Sequence, residues 1–335
     1  MQDEHTQEWI NVPKPYKDEL LSSWFARVAL SYHITTAELF SKHLIKYQAY
    51  KRDLDIAEFD DNFWDSLSHL AQLSVPLLKN MQILDLEGKL QEKIHINQRN
   101  RWIVAASGNL FPKKRKSKAL RFCSLCLKEK KYYSKDCKLL FVNVCTQHQV
   151  YMKESCPKCD SLVLPIRIEP PKKIHECFRC GHDLSKMATT RVSTLELEAV
   201  NFSKNVLSKD IFLNQNVNRV AIDYFTVLHL LVKNLHKLYP QDILFKQFKF
   251  EYNQKDTSSP YLFTQSSPYI SQLIAIAYTL LIKEWDRELL EFLKRNKLMY
   301  ASQLLNKREN VYFMVPDWFV QHMKLLWKSK PKFNT

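Results

Sequence analysis

Phe122-Cys123-Ser-Leu-Cys126, Cys145-Thr-Gln-His148, Cys156-Pro-Lys-Cys159 and Cys177-Phe-Arg-Cys180 follow one another in the middle of a chain of 335 residues. Each contains two soft ligands separated by two residues, the spacing at which a tight turn aims both side chains at one metal ion. The eight ligands Cys123, Cys126, Cys145, His148, Cys156, Cys159, Cys177 and Cys180 are expected to complete two tetrahedral Zn²⁺ sites. Such sites leave no position open for water or substrate, so their expected role is structural. Two pairings use the same residues. The sequential one joins the first two pairs and the last two; a cross-braced one joins first to third and second to fourth. The gaps inside the sequential sites, 18 and 17 residues, are near zinc-ribbon spacing. Self-contained modules of similar length favour that pairing. Cys137 lies outside every pair and reads as a small buried side chain. His175 and His182 flank a pair that is already complete.

Modules with so little apolar sequence draw their folding free energy from the metal, on the order of 10–16 kcal/mol per structural site. A strong chelator is therefore expected to melt this middle region and leave the helices on either side standing.

The formal charge of +15 is unevenly spread. Residues 1–111 hold 12 Lys and Arg against 15 Asp and Glu, residues 112–190 hold 18 against 7, and residues 191–335 hold 20 against 13. Seven thiolates and two Zn²⁺ would lower the middle region from +11 to +8, still strongly basic. A phosphate backbone is the natural partner of such a surface. Lys113, Lys114, Arg115, Lys116, Lys118 and Arg121, in a run with no acidic residue, are the candidate nucleic-acid contacts. A solvated linker or a nuclear localisation signal would have the same composition.

The three glycines, Gly88, Gly108 and Gly181, are too few for a turn-rich barrel or a phosphate-cradling loop, so the chain leans towards helices. The longest apolar run, Leu273 to Ile282, is about half of the ~20 residues needed to cross a bilayer. The acidic start is unlike a signal peptide, and an intracellular, cytoplasmic location is expected, where cysteines hold metal more readily than they form disulfides.

Three domains are expected: a helical one over 1–111, the basic linker with two zinc modules over 112–190, and a second helical one over 191–335. In the first, Leu20, Leu21, Trp24, Phe25, Val28, Ala29 and Tyr32 form one helical stripe. Thr35-x-x-Glu38 fits a capping box opening a second helix, which gives a helix-turn-helix outline. Further helices are expected near 61–73 and 75–92. In the third, Val217 to Leu235 reads as one long apolar face, and Ser267-Pro268 as a cap with proline at the first helical position. Leu289, Leu290 and Leu293 suggest another segment, and Pro316 a last helix carrying Trp318, Phe319, Met323 and Trp327. The tail from Ser329 is expected to fray.

Catalytic motifs are missing. No histidine has a glutamate two residues later, as a zinc deaminase requires, and neither Gly-x-x-x-x-Gly-Lys nor His-Glu-x-x-His occurs. A non-enzymatic role is expected. A RING-type ligase is disfavoured by the seven residues between His148 and Cys156, where two or three are usual.

Two stretches resemble the TniQ family of bacterial transposons, which includes TnsD-type target selectors. One is Pro15-Tyr-Lys-Asp-Glu19-Leu-Leu-Ser-Ser23-Trp24-Phe-Ala-Arg27, similar to the family's opening Pro…Glu-Ser-x-x-Ser-Trp-x-x-Arg; the other is the paired-ligand region itself. Leu20 stands where the family often has serine, Asp18 where it often has glycine, and Lys135 and Cys137 where it often has arginine and tryptophan. The resemblance implies a non-catalytic adaptor that helps choose where a transposon inserts. Its implied partners are an AAA+ transposition ATPase and either a CRISPR Cascade-type effector with guide RNA or target DNA directly. It also implies a homodimer as one form, and association with the nucleoid when bound to target. Glu19, Ser23 and Arg27 are the candidate partner contacts on an exposed face, with an intrahelical salt bridge as the alternative for Arg27. A self-sufficient sequence-specific DNA binder is the alternative. Its one conspicuous polar cluster, Asn214-Gln-Asn-Val-Asn-Arg219, reads better as a cap for the helix that follows.

Overall fold

A computed structural model describes residues 8–49, 52–94, 100–104, 120–214, 216–237, 241–251, 266–283, 291–292 and 315–328. Among them the fold is mainly helical, with two small antiparallel sheets. The chain forms two compact units: Met1–Glu87 with Lys93–Arg191, and Gly88–Glu92 with Val192–Thr335. The N-terminal helices and the cysteine-rich segment share one unit.

In the first unit, α1 (Leu21–Ser31) presents Leu21, Trp24, Phe25, Val28 and Ala29 to the core, all with no exposed surface. The 3.6-residue period of these side chains is what makes a helix the conformation that buries them together. They meet Leu39 and Phe40 of α2 (Thr36–His43), Phe63, Trp64 and Leu67 of α3 (Asp61–Ala71), and Leu78 of α4 (Val75–Lys79). The capping box that opens α2 is present: Glu38 N donates to Thr35 Oγ1 at 3.1 Å, and Thr35 N donates to Glu38 Oε2 at 2.7 Å. Asp60 caps α3 by accepting from Phe63 N at 2.9 Å.

The helix expected over 75–92 stops at Lys79, and a 3₁₀ turn follows at Leu84–Leu86. Competing hydrogen bonds explain the early stop. The buried Gln82 amide donates to Leu54 O at 2.7 Å and Ala57 O at 2.9 Å, and Ile83 N donates to Asp55 O at 3.0 Å. Backbone and side chain here serve the preceding loop instead of a helix ladder.

That loop carries the strongest charges of the core. Lys138, at the end of a 3₁₀ turn over Lys135–Lys138, has no exposed surface and pairs with Asp53 and, at 2.8 Å, with Asp55 Oδ2. Asp55 also accepts from Ser22 N and Ser22 Oγ, both at 2.8 Å, at the first turn of α1. Burial raises the Asp53 carboxyl to about 6 from its usual 3.8, against the pull of Lys138.

The second unit begins with α6 (Thr194–Lys209), opened by a Ser193/Glu196 capping box. β3 (Ile211–Asn214) and β4 (Val217–Val220) then form a hairpin in which Ile211 faces Val220 and Asn214 faces Val217. This corrects the reading of Val217 and Val220 as the start of a helix, and of Asn214–Arg219 as its cap. Asp210 and Asn216 take left-handed backbone, φ 60° and 61°, which Asp and Asn tolerate and which turns the chain back. α7 (Ala221–Lys237), α8 (Gln241–Gln247) and α9 (Ser267–Tyr278) follow. The cap of α9 is Ser266, one residue earlier than expected, so Pro268 occupies the second helical position. α9 runs into a π-helical turn over Thr279–Lys283. Pro316 immediately precedes α10 (Asp317–Lys328), where Phe319 and Met323 are fully buried and Trp318 Nε1 donates to Asp223 Oδ2 at 2.8 Å. Leu289, Leu290, Leu293, the side chain of Trp327 and the tail from Ser329 lie outside the described residues.

Lys138→Met removes the counter-charge of two buried carboxylates and is expected to cost about 3–5 kcal/mol. Denaturant unfolding of the full chain measures it. Asp53 also makes stability depend on pH. Its folded pKa lies above the unfolded one, so its contribution is complete below about pH 4 and lost as pH rises through about 6. Asp53→Asn should remove that slope, and a slope unchanged in the variant would count against it.

Candidate metal centres

The backbone builds three of the four ligand pairs in one way. In each, the amide four residues after the first ligand donates back to that ligand's carbonyl: Gln149 to Cys145 at 2.8 Å, Asp160 to Cys156 at 2.9 Å, Gly181 to Cys177 at 2.9 Å. Those fourth residues are left-handed, with φ of 55°, 51° and 70°. The turn so formed points both ligands to one side. Glycine suits it best, and Gly181 provides it there. Cys145–His148 sits on the hairpin of β1 (Val144–Cys145) and β2 (Val150–Tyr151). The remaining pair, Cys123 and Cys126, lies at the start of α5 (Ser124–Lys130), with Cys123 as its N-cap.

The ligands gather sequentially: Cys123, Cys126, Cys145 and His148 in one cluster, Cys156, Cys159, Cys177 and Cys180 in the other, with all ligand atoms of each within 4.8 Å of one another. A metal with bonds of about 2.3 Å to sulfur and 2.0–2.1 Å to nitrogen needs tetrahedral edges of about 3.8 Å between sulfurs and about 3.6 Å between sulfur and nitrogen. In the first cluster His148 Nδ1 lies 3.6, 3.3 and 3.5 Å from the sulfurs of Cys123, Cys126 and Cys145, and the sulfurs of Cys126 and Cys145 are 3.6 Å apart. In the second, Cys156 and Cys180 are 3.6 Å apart, as are Cys159 and Cys177. Both clusters fit one tetrahedral ion, and their soft donors suit zinc-like metals.

Electrostatics within the clusters point the same way. Hydrogen bonds from the Cys123 and Cys126 thiols lower the pKa of Cys145, while the mutual contacts push Cys126 up and Cys123 is raised as well. In the second cluster burial pushes the Cys156 thiol up to about 12. Burial acts on Cys159 in the same sense, but hydrogen bonds from Ser161 and the neighbouring thiols outweigh it and bring Cys159 down to about 6. Thiols packed this closely cannot all ionise without a cation, so metal uptake must release protons. Cys137 is buried outside both clusters, and burial pushes its thiol up to about 12. His175 and His182 contribute backbone carbonyls to Leu184 N and Cys177 N and lie outside both four-residue groups.

The residues expected at surfaces are placed otherwise. Glu19 and Ser23 have no exposed surface. Ser23 Oγ donates to Glu19 Oε1 at 2.9 Å and accepts from Tyr133 N at 3.0 Å. Arg27 NH1 meets Glu19 Oε2 at 2.6 Å, and its guanidinium lies 4.6 Å from the centre of the Tyr16 ring. Tyr16 stacks on Tyr132 at 4.3 Å, and Tyr132 donates to Asp18 Oδ1 at 2.5 Å. Leu20 N to Tyr133 O at 3.0 Å and Lys135 N to Asp18 O at 2.8 Å complete a clasp between the start of α1 and the chain leaving α5. Glu19 and Ser23 thus face inward onto the metal-bearing segment, while Tyr16, Lys17 and Asp18 of the same stretch stay exposed and Arg27 is partly buried. Burial raises the Glu19 carboxyl, and Arg27 partly offsets this.

Arg121 is also buried. It donates to Leu140 O at 3.2 Å and to Asn143 Oδ1, so it braces the loop before β1 instead of offering a phosphate contact. Burial lowers its pKa to about 10, which leaves it charged at neutral pH. Lys113, Lys114, Arg115, Lys116 and Lys118 lie outside the described residues. Sequence reasoning missed Lys138 with its two aspartates. The only trace was a lysine heading the apolar run Leu139–Val142.

The N-terminal helices are thus clasped to the segment that carries the first cysteine–histidine cluster. Residues 11–152 match the family model described as TniQ, so this part of the chain is similar to the TniQ domain. Proteins of that family act in transposition-associated target selection and are generally non-catalytic. The match takes in the N-terminal helices and the first cluster and ends before Cys156. No curated protein matches the chain. Among the described residues no helix is long and apolar enough to cross a membrane.

The shared unit divides the expectation about metal removal. Chelation should loosen α1–α3 along with residues 120–191, because the clasp hangs on the chain leaving α5, while α6, α7 and α9 keep their protection. Hydrogen exchange before and after chelation reads this, and unaltered protection of α1 would refute it. Separately, Arg27→Ala leaves Glu19 buried without its partner and should cost about 3 kcal/mol in urea unfolding; a destabilisation below about 0.5 kcal/mol would argue for a surface role.

Proposed function

We propose that this protein is a non-catalytic adaptor of transposition. It links a target-recognition assembly, either an RNA-guided CRISPR effector or target DNA, to an AAA+ ATPase and through it to the transposase. The TniQ domain over residues 11–152 is the observation that carries this reading. Two closed four-ligand clusters support it, since neither leaves a coordination position for chemistry. In this reading both clusters hold Zn²⁺ as a structural ion. The protein works in the bacterial cytoplasm and joins the nucleoid when bound to target.

Phosphate contact is assigned to the metal-bearing surface, where Lys128, Lys130, Lys131, Lys158, Lys173 and Arg179 are exposed. The partner contact moves away from Glu19 and Ser23, which the core occupies, to exposed positions of the N-terminal helices. A homodimer remains part of the proposal.

Two measurements test the reading. The zinc-loaded protein should co-purify with the ATPase of its own transposon, with or without an effector complex; failure to bind either would sink the adaptor role. The isolated protein should bind DNA weakly and without sequence preference, with log K falling linearly against log salt. Replacing Lys128, Lys130 and Lys131 together by glutamate should reduce that slope by up to about 3 units, at about 0.9 for each phosphate that is no longer neutralised. Tight binding to one genomic sequence over scrambled DNA would instead identify a self-sufficient DNA reader.

A further inference from the structure

Glu129 stands one turn after Cys126 on α5, on the face that carries the ligand. Its carboxylate spans two adjacent residues of the β1–β2 turn. Oε1 lies 2.9 Å from His148 Nε2, and Oε2 accepts from Gln147 Nε2 at 3.0 Å. The other nitrogen of the same ring, Nδ1, faces the three sulfurs of Cys123, Cys126 and Cys145 at 3.3–3.6 Å. A neutral imidazole carries one N–H and one lone pair. With a carboxylate fixed at Nε2, the proton belongs there and the lone pair at Nδ1 is left to the metal.

We propose that Glu129 is a positioning residue for the first metal site: it fixes the tautomer and orientation of His148 so that Nδ1 completes the tetrahedron. The inference rests on the reading of this cluster as a metal site. Gln147 keeps the carboxylate in place, so the turn that supplies the ligand also supplies the brace of its orienting group. The second cluster has no histidine. There the Ser161 hydroxyl, 3.0 Å from Cys177 Sγ and 3.2 Å from Cys159 Sγ, occupies the outer position. The two sites therefore depend on different outer groups, and a change at Glu129 acts on one of them alone.

The test uses the full chain loaded with zinc, with stepwise chelator competition and ¹⁵N spectra of the imidazoles. In the wild type two equivalents of zinc bind, and His148 shows metal at Nδ1 and a proton at Nε2. Glu129→Ala should weaken one equivalent by about 10–100-fold and leave the other unchanged. Glu129→Gln, whose amide oxygen still accepts from Nε2–H, should hold affinity within a few-fold and keep the Nδ1-bound spectrum. Two equivalents of wild-type affinity in Glu129→Ala, equal weakening of both, or metal at Nε2 in the wild type would each overturn the proposal. A wild-type chain that takes up no metal at Cys123, Cys126, Cys145 and His148 would overturn the metal reading itself, and the proposal with it.

Discussion

The ammonium of Lys138 has no exposed surface and sits between the carboxylates of Asp53 and Asp55. A buried ion pair adds little to stability compared with well-packed apolar groups, because taking three charges out of water costs about as much as their attraction returns. Its value lies in what it forbids. A register of the Lys135–Lys138 turn that moved the ammonium away would leave two carboxylates in the core with only Ser22 and backbone donors. The interaction thereby selects one arrangement of the metal-bearing segment against the helices. Its neighbours inherit that arrangement, since Arg121 N bonds to Cys137 O and Val104 N to Lys138 O, both at 2.9 Å.

The clasp of Pro15–Arg27 follows from the same seating. Once the 135–138 turn is fixed, Tyr133 lies against the start of α1, where its amide needs an acceptor and its carbonyl a donor. Ser23 and Leu20 provide them. Glu19 then orients Ser23, and Arg27 neutralises Glu19. Each polar group in this chain of contacts answers a need created by the one before it. Glu19 and Ser23, two of the side chains by which this stretch resembles the family, are therefore parts of an internal joint.

What was legible in the sequence was what is local. Ligand pairs two residues apart, the Thr35/Glu38 box and the stripe of α1 are each set within one or two turns of backbone, and the residue types carry the geometry. Lys138 finds its aspartates 83 and 85 positions away, and no local pattern announces such a pairing. Glu19 and Ser23 were legible as parts of a motif but not as buried, because polar residue types suggest a surface until their partners are known. Val217 and Val220 fit both a helical face and the end of a strand; Asp210 and Asn216, which accept left-handed backbone, decided for the hairpin. Charge counting could not tell that Arg121 points inward.

The two metal clusters look equivalent as motifs and are not equivalent as structure. The first lies inside the TniQ domain, on a helix whose exit carries the clasp to α1, and its histidine is tied to a carboxylate. The second is framed by its own two turns and the bridges Ser155–Leu162 and Glu176–Asp183. Opening the first cluster would release Tyr132 to Lys138 from their anchor, so its disturbance travels to Asp18, Ser23 and the buried aspartates. The second also reaches beyond its own sequence, since Tyr133 lines a cavity with Cys156 and Cys177 and Ile166 packs on the core of the N-terminal helices. Both clusters are thus joined to the helical core, the first through the chain leaving α5 and the second through Tyr133 and Ile166.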